Sequence, residues 1–406
     1  MIYLNFHFMG NIMFGFLPSQ EEIVERGYKR LLEMLSRYPE VRSHLYASSH
    51  TGEILKEKYP EAFQTILKAV DDGRLKIEFN GYEHAPFNCL SPDSVNKQVE
   101  KGLIKDHEIW GQWGEKPGGY WPSDCCWDPY VGYLLKSRGF KWAYFGSEHF
   151  KQSNPGGKYY PDWRNLDLYR PLSVRCPMNV KINGLCYSNP NYDLFRPEQM
   201  EAFFSQLEQL RLERKEDGYV SIGLDFETLL VLEVKGICPD GAQVFADFLE
   251  RLRSAENIRH EFSDTILEII PPKQETFVRQ NYWGYYGGAY PDGAQRILSL
   301  CDTAERDLLM CENLLGLMDS KADSVKMGEE IEVIWQYLLE AENSEVRFTN
   351  PSLDEKAHVF YPKEHVVVET LEHAIKAFES ARKLKQRLFV MYRTCSMRKS
   401  NRRINP

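Results

Sequence analysis

Through residue 260 the chain alternates between short apolar runs and longer stretches with helical spacing. Residues 2–8 (IYLNFHF) predict a strand, and EEIVERGYKRLLEMLSRY after them repeats apolar positions every three or four residues, as an amphipathic helix does. SHLYAS predicts a second strand, GEILKEKY and PEAFQTILKAVDDG two helices, and LKIEFNGYE a third strand. SPDSVNKQVEKGLIKDHEIWGQW opens with a Ser-Pro helix start. GGYWPS and KWAYFGS predict short strands on either side of the helix DPYVGYLLKSRG. Residues 148–197 are less regular. They are followed by the helix EQMEAFFSQLEQLRLERK, the strand YVSIGLDFE and the helix GAQVFADFLERLRS.

Strands alternating with helices of this length imply βαβ units around a parallel sheet. Six or seven such units fit a closed or nearly closed barrel better than a doubly wound nucleotide-binding sheet. No GxGxxG follows the first strand, and no GxxxxGK occurs anywhere. From about residue 290 the pattern turns helical. The expected organisation is a barrel over residues 1–285, a helical bundle packed on it over 286–385, and a basic, flexible tail over 386–406. The tail stands out because residues 381–406 carry nine basic and no acidic side chains, within a chain of net charge −9. The acidic body disfavours nucleic-acid binding. No apolar run reaches the roughly 18 residues of a membrane helix. Nine cysteines without a CxxC pair predict reduced thiols and a cytoplasmic protein.

Barrel enzymes carry their chemistry at the C-terminal ends of strands. On that rule the candidates are His7, His50, Glu83 with His84, Asp124, Glu148 with His149, and Asp225 with Glu227. Asp225 and Glu227 follow the alternating Val220, Ile222 and Leu224, so in an extended chain the two carboxylates would share a face. Asp124 lies in YWPSDCCWDP between Trp121 and Trp127. Two carboxylates from different strands, walled by aromatic rings, are the minimum for glycoside hydrolysis. Aromatic residues make up 13% of the chain and gather in GGYWPSDCCWDPYVGY and NYWGYYGGAYPDG, where Trp283 sits. Rings in such loops either stack on flat, ring-shaped ligands such as sugars or nucleobases or serve as extra core. Cys125 and Cys126 are expected to be buried and structural.

The run GYWPSDCCWDPYVGYLLKSRGFKWAYFG resembles the third motif region of glycoside hydrolase family 57, where a Trp-Pro-Pro-Glu run precedes a helix and a strand. The order of elements is similar over residues 1 to about 350. The resemblance implies an incomplete (β/α)7 TIM-like barrel followed by a C-terminal helical region. It also implies action on α-linked glucans or oligosaccharides without a cofactor or a metal. It places the family's nucleophile on Asp124 and its general acid/base on Asp225, with Glu227 the second acid of the Asp-x-Glu motif. The opening His-Gln-Pro falls on His7-Phe8-Met9, and the second motif on Gly81-Tyr82-Glu83-His84. RSHLYASSHTGEIL corresponds to the segment leading to the sugar site and contains His50, and the fifth motif falls on Asn343-Ser344-Glu345. His7, His50, Glu83, His84, Trp121, Trp127, Glu227 and Trp283 would contact the sugar.

Two departures bear on activity. Asp124 is one methylene shorter than the family's Glu, which sets a nucleophile back by roughly 1 Å. Leu229-Leu230 stand where a Gly is expected. Two alternatives follow. One is a glycan-binding protein that keeps the cleft without the reaction. The other is a metal-dependent deacetylase- or mannosidase-like enzyme in which His7, His50 and His84 converge on Asp124.

Overall fold

The computed structural model describes residues 1–12, 19–114, 118–156, 162–188, 192–280, 292–318, 321–343 and 364–404. Backbone contacts divide the chain into Met1–Trp283 and Gly284–Pro406.

In the first unit the strands are β1 (Ile2–Gly10), β2 (Ser43–Ala47), β3 (Leu75–Phe79), β4 (Gly119–Tyr120), β5 (Trp142–Gly146), β6 (Leu172–Arg175), β7 (Lys181–Ser188), β8 (Gly218–Asp225), β9 (Ile258–His260) and β10 (Gln274–Phe277). Strands β1, β2, β3, β4, β5, β7 and β8 pair in parallel in that order, and β8 pairs back onto β1, so seven strands close a barrel. β6 runs antiparallel beside β7 and carries β10, while β9 lies along the start of β1.

The sixth barrel strand, β7, lies in the stretch that reads as irregular in the sequence. Asn183 and Gly184 break the apolar alternation there. The glycine is a packing requirement, because a Cβ on Gly184 would stand 2.6 Å from Val174 Cγ2 on β6. Elsewhere the local signals hold. Ser91 accepts a hydrogen bond from the Ser94 amide and Pro92 opens the helix Pro92–Trp110. Asp128 caps Pro129–Ser137 in the same way. Gly139, just past that helix, adopts φ 92°.

The barrel interior is filled mainly by rings rather than branched aliphatic side chains: Tyr3, Tyr46, Trp121, Trp142, Tyr144, Tyr187 and Tyr219 all point inward. Outside the strands, Phe6, Phe8, Val220, Ile222 and Phe226 pack under the helical layer. Tyr120 and Trp127 belong to a second outer cluster, and Trp127 lies against Phe145 at 4.7 Å between centroids. The aromatic residues around Asp124 are therefore largely core. Residues 281–291 (NYWGYYGGAYP), with Trp283, lie outside the described residues.

Helices Asp292–Gly316, Lys321–Glu340 and Glu364–Ile404 make up the described part of the second unit. Their buried side chains recur every three or four residues: Ile297, Cys301, Ala304, Leu308 and Cys311 on one helix, Ala374, Ala377, Ala381, Leu384 and Leu388 on another. The basic stretch read as a flexible tail is helical as far as Ile404. Asn343 is buried three residues past the helix Lys321–Glu340, and Ser344 and Glu345 lie outside the described residues. Among the described residues no helix is long and apolar enough to cross a membrane.

A tight contact sets how the first helical layer meets the end of β8. Residues 20–36 form a helix with a π-helical turn over Ile23–Lys29, and a Cβ on Gly27 would come within 2.9 Å of Glu227 Cα. The clash is with backbone, so Gly27→Ala is expected to cost about 1–3 kcal/mol. It should lower Tm in a thermal melt by several degrees, whereas Gly73→Ala, which meets nothing, should cost only the strain of its positive φ.

Candidate active site

The strand register places the candidate residues at different depths. β1 continues three residues beyond His7, so His7 lies inside the barrel and not at its rim. Its ring stacks between Tyr144, 3.8 Å away, and His44, 4.7 Å away. His7 Nε2–H donates to Asn5 Oδ1 at 3.1 Å, and its Nδ1 accepts from the Tyr46 hydroxyl at 2.8 Å. Burial and the adjacent His44 hold its pKa well below the usual histidine range, so the ring is neutral. Below it, His44 Nε2 accepts from the Ser263 amide at 3.0 Å, leaving Nδ1–H to donate to Glu78 at 3.0 Å. Glu78 in turn accepts from the Gly118 and Gly119 amides. These groups form a closed polar stack that carries the floor of the site.

At the rim, β3 passes through Asn80 and Gly81, with Gly81 at φ 114°, into Tyr82-Glu83-His84. Glu83 is buried. Its carboxylate accepts from His50 Nδ1 at 2.5 Å and from the His84 amide at 3.0 Å, and its own amide donates to Gln98 at 2.9 Å. His50 is on the first turn of the helix Ser49–Lys58 and not at the end of β2. His84 is buried with Nδ1 accepting from Asn11 Nδ2 at 3.4 Å. Burial lowers its pKa, against the opposing pull of the Asp124 and Glu83 charges. Asn11, immediately beyond β1, escapes the sequence reading because that strand is expected to end by Phe8.

β4 delivers Trp121 and then a turn that carries Asp124. Trp121 stands edge-on to Tyr46 at 5.5 Å and to Tyr144 at 5.1 Å, and Gly223 of β8 leaves room for its ring. Asp124 and Cys125 are consecutive left-handed residues, with φ of 50° and 58°. That conformation is uncommon for non-glycine residues, and aspartate tolerates it better than glutamate. Cys125 Sγ contacts the Tyr187 hydroxyl at 2.5 Å, and burial pushes its thiol up to about 12, so it is not a nucleophile at neutral pH.

β8 ends at Asp225, paired with Met9 in register, and the Phe226 amide donates to the Met9 carbonyl at 2.7 Å. The chain then turns into the helix Thr228–Val234, so Asp225 and Glu227 do not share an extended face. Glu227 is fully buried under Gly27. Asp124 and Asp225 are only partly buried, amid largely buried neighbours. Burial raises the Asp225 pKa to about 7. The Lys235 cation opposes that rise, and the nearby Asp124 charge adds to it. The barrel end thus gathers Asp124, Asp225, His84 and Asn11 above the aromatic floor. Trp127 and Glu227 are packed into the surrounding core. Among the described residues no three His, Cys, Asp or Glu side chains group as a metal would require.

The profile of glycosyl hydrolase family 57 matches residues 16–256, more than half of the chain. The chain belongs to glycosyl hydrolase family 57. Alpha-amylase 1 of Dictyoglomus thermophilum is 23% identical over 130 residues, 32% of this chain and 18% of that protein. The match thus spans about a fifth of the relative's length. The fold resembles that of 4-alpha-glucanotransferase from Thermococcus litoralis, with TM-score 0.65, 15% identity, and coverage of 93% of this chain and 59% of the other. It also resembles the alpha-amylase AmyC from Thermotoga maritima, with TM-score 0.66, 12% identity, and coverage of 96% of both chains. These likenesses concern the fold.

The Asp225 environment has a consequence for stability. Its folded pKa lies near 7 against about 3.8 for the free carboxyl, so ionisation penalises the folded state increasingly as pH rises from 4 to 7. Asp225→Asn removes that penalty. Its Tm is expected to exceed the wild type's by about 5 °C at pH 8, with the difference vanishing near pH 4. Melts at the two pH values check this.

Proposed function

We propose that this family 57 protein hydrolyses or transfers α-linked glucans or oligosaccharides, with Asp225 as general acid/base and Asp124 as nucleophile. The reading rests on one observation above others. A carboxyl held protonated to about pH 7 by burial sits at the barrel rim within the electrostatic reach of a second, partly exposed carboxylate. A general acid works best with a pKa near the working pH.

In this scheme the Asp124 carboxylate attacks the anomeric carbon as the glycosidic bond breaks. Asp225 gives its proton to the departing oxygen. The ionised Asp225 then takes a proton from water or from an incoming sugar hydroxyl, whose oxygen displaces Asp124 and restores both groups. Water yields hydrolysis and a sugar hydroxyl yields transfer. Neutral His84 and Trp121 are assigned to hold sugar hydroxyls and to bound the sugar ring. His50 and Glu83 act through the loop that presents His84. The left-handed backbone at residue 124 favours Asp over the family's Glu, so the shorter side chain suits its own turn.

Incubation with maltooligosaccharides and glycogen, followed by mass spectrometry, tests the reading. Shortened or redistributed oligomers are expected, falling by roughly 10²–10⁴-fold in Asp225→Asn. Binding without product, in wild type as in the variant, would leave a glycan-binding protein instead.

The pH profile offers an independent check. Activity should decline as pH rises through about 7, where Asp225 loses its proton. The Lys235 charge lowers that pKa, so Lys235→Met is expected to move the alkaline limb upward by roughly 0.5–1 pH unit. A downward shift would contradict the assignment.

A further inference from the structure

His149 lies on the helix Ser147–Ser153, directly after β5, and is 4% exposed. Its ring faces two carbonyl oxygens and no side chain by hydrogen bond: Nε2 is 2.6 Å from Cys125 O, and Nδ1 is 3.2 Å from Gly146 O. A neutral imidazole donates once, and the shorter contact takes the proton. His149 therefore grips the carbonyl of the residue that follows Asp124.

The turn needs holding. Asp124 and Cys125 are both left-handed, a costly conformation for residues with a side chain, and such conformations persist only where the surroundings over-determine them. Within the turn, the Cys125 amide donates to Pro122 O at 2.9 Å and the Cys126 amide to Ser123 O at 2.9 Å. From outside, three strand ends reach it. Asn80 beyond β3 donates to Trp121 O at 2.9 Å, Tyr187 of β7 meets Cys125 Sγ, and His149 beyond β5 holds Cys125 O. Of these three contacts, only the one from His149 bonds the backbone of the left-handed pair itself.

We propose that His149 is a positioning residue, whose hydrogen bond to the Cys125 carbonyl keeps the Asp124 turn in its left-handed form and so aims the Asp124 carboxylate at the site. The proposal rests on the reading of Asp124 as nucleophile. The grip itself can be measured without any activity. His149→Leu removes the donor, and His149→Gln restores an N–H near the position of Nε2. With the turn released, Cys125 loses its fixed contact with Tyr187 and opens to solvent.

The experiment is alkylation by iodoacetamide of the whole folded protein, followed by peptide mass spectrometry. Cys186, 5% exposed on β7, reports general unfolding. His149→Leu is expected to label at Cys125 at least tenfold faster than wild type with Cys186 still protected, and His149→Gln to stay within about threefold of wild type. Equal Cys125 labelling in all three proteins overturns the proposal, as does labelling of Cys125 and Cys186 in parallel. In the oligosaccharide assay, His149→Leu should lose kcat by at least tenfold with KM nearly unchanged, and His149→Gln should recover most of it. Faster Cys125 labelling with unaltered kcat overturns the role in catalysis. Full activity in Asp124→Asn instead overturns the reading of Asp124 and leaves the labelling result to decide the grip alone.

Discussion

Closure of the seven-strand ring depends on β8, which pairs with β1 along eight residues and with β7 along only two. Through that double pairing, segments more than 200 residues apart share one barrel end. The Met9–Asp225 pair and the Phe226–Met9 hydrogen bond stop β8 at the rim. Every group proposed to act on a sugar is placed by reference to that rim. A slip of one residue in this ladder would exchange inward and outward faces, driving Phe226 into the site and Asp225 into the outer core.

The barrel interior is the second unusual feature. Stacked His7, His44, Tyr46 and Tyr144 replace the branched aliphatic layers common in barrels. Buried polar side chains are costly without partners, and the two histidines of this stack have theirs. The proton arrangement inferred for His7 and His44 gives each nitrogen a single role, ending at the Glu78 carboxylate and two backbone amides. The result is a rigid platform under Asp124 and Asp225. It explains why His7 resembles a ligand residue in the sequence while it serves as part of the floor.

The chemistry proposed for the rim rests on the surroundings of its two carboxyls. Asp225 is held neutral toward pH 7, while Asp124 sits on a strained turn with its carboxylate at the same opening. The strain at Asp124 and the burial of Asp225 both work against folding stability, as is usual for groups arranged for reaction.

Much of this was legible in the sequence. The βαβ alternation, the Ser91-Pro92 and Asp128-Pro129 helix starts, and the helical character after residue 290 are local signals, carried by side-chain period and caps over a few residues. Asp124 and Asp225 stand out as candidates in the sequence because each follows an apolar strand within a contiguous motif. Long-range packing decided the rest. Whether Lys181–Ser188 is a strand depended on β5 and β8 flanking it, since Asn183 and Gly184 have no strand preference of their own. Whether Trp127 met solvent or core depended on the helix Pro129–Ser137 and on Phe145. The three-residue extension of β1 past His7 was set by pairing with β2 and β8, and it alone moved that histidine from rim to floor. Sequence periodicity fixes the faces of an element, whereas depth along a strand and the company a side chain keeps are set by partners hundreds of residues away.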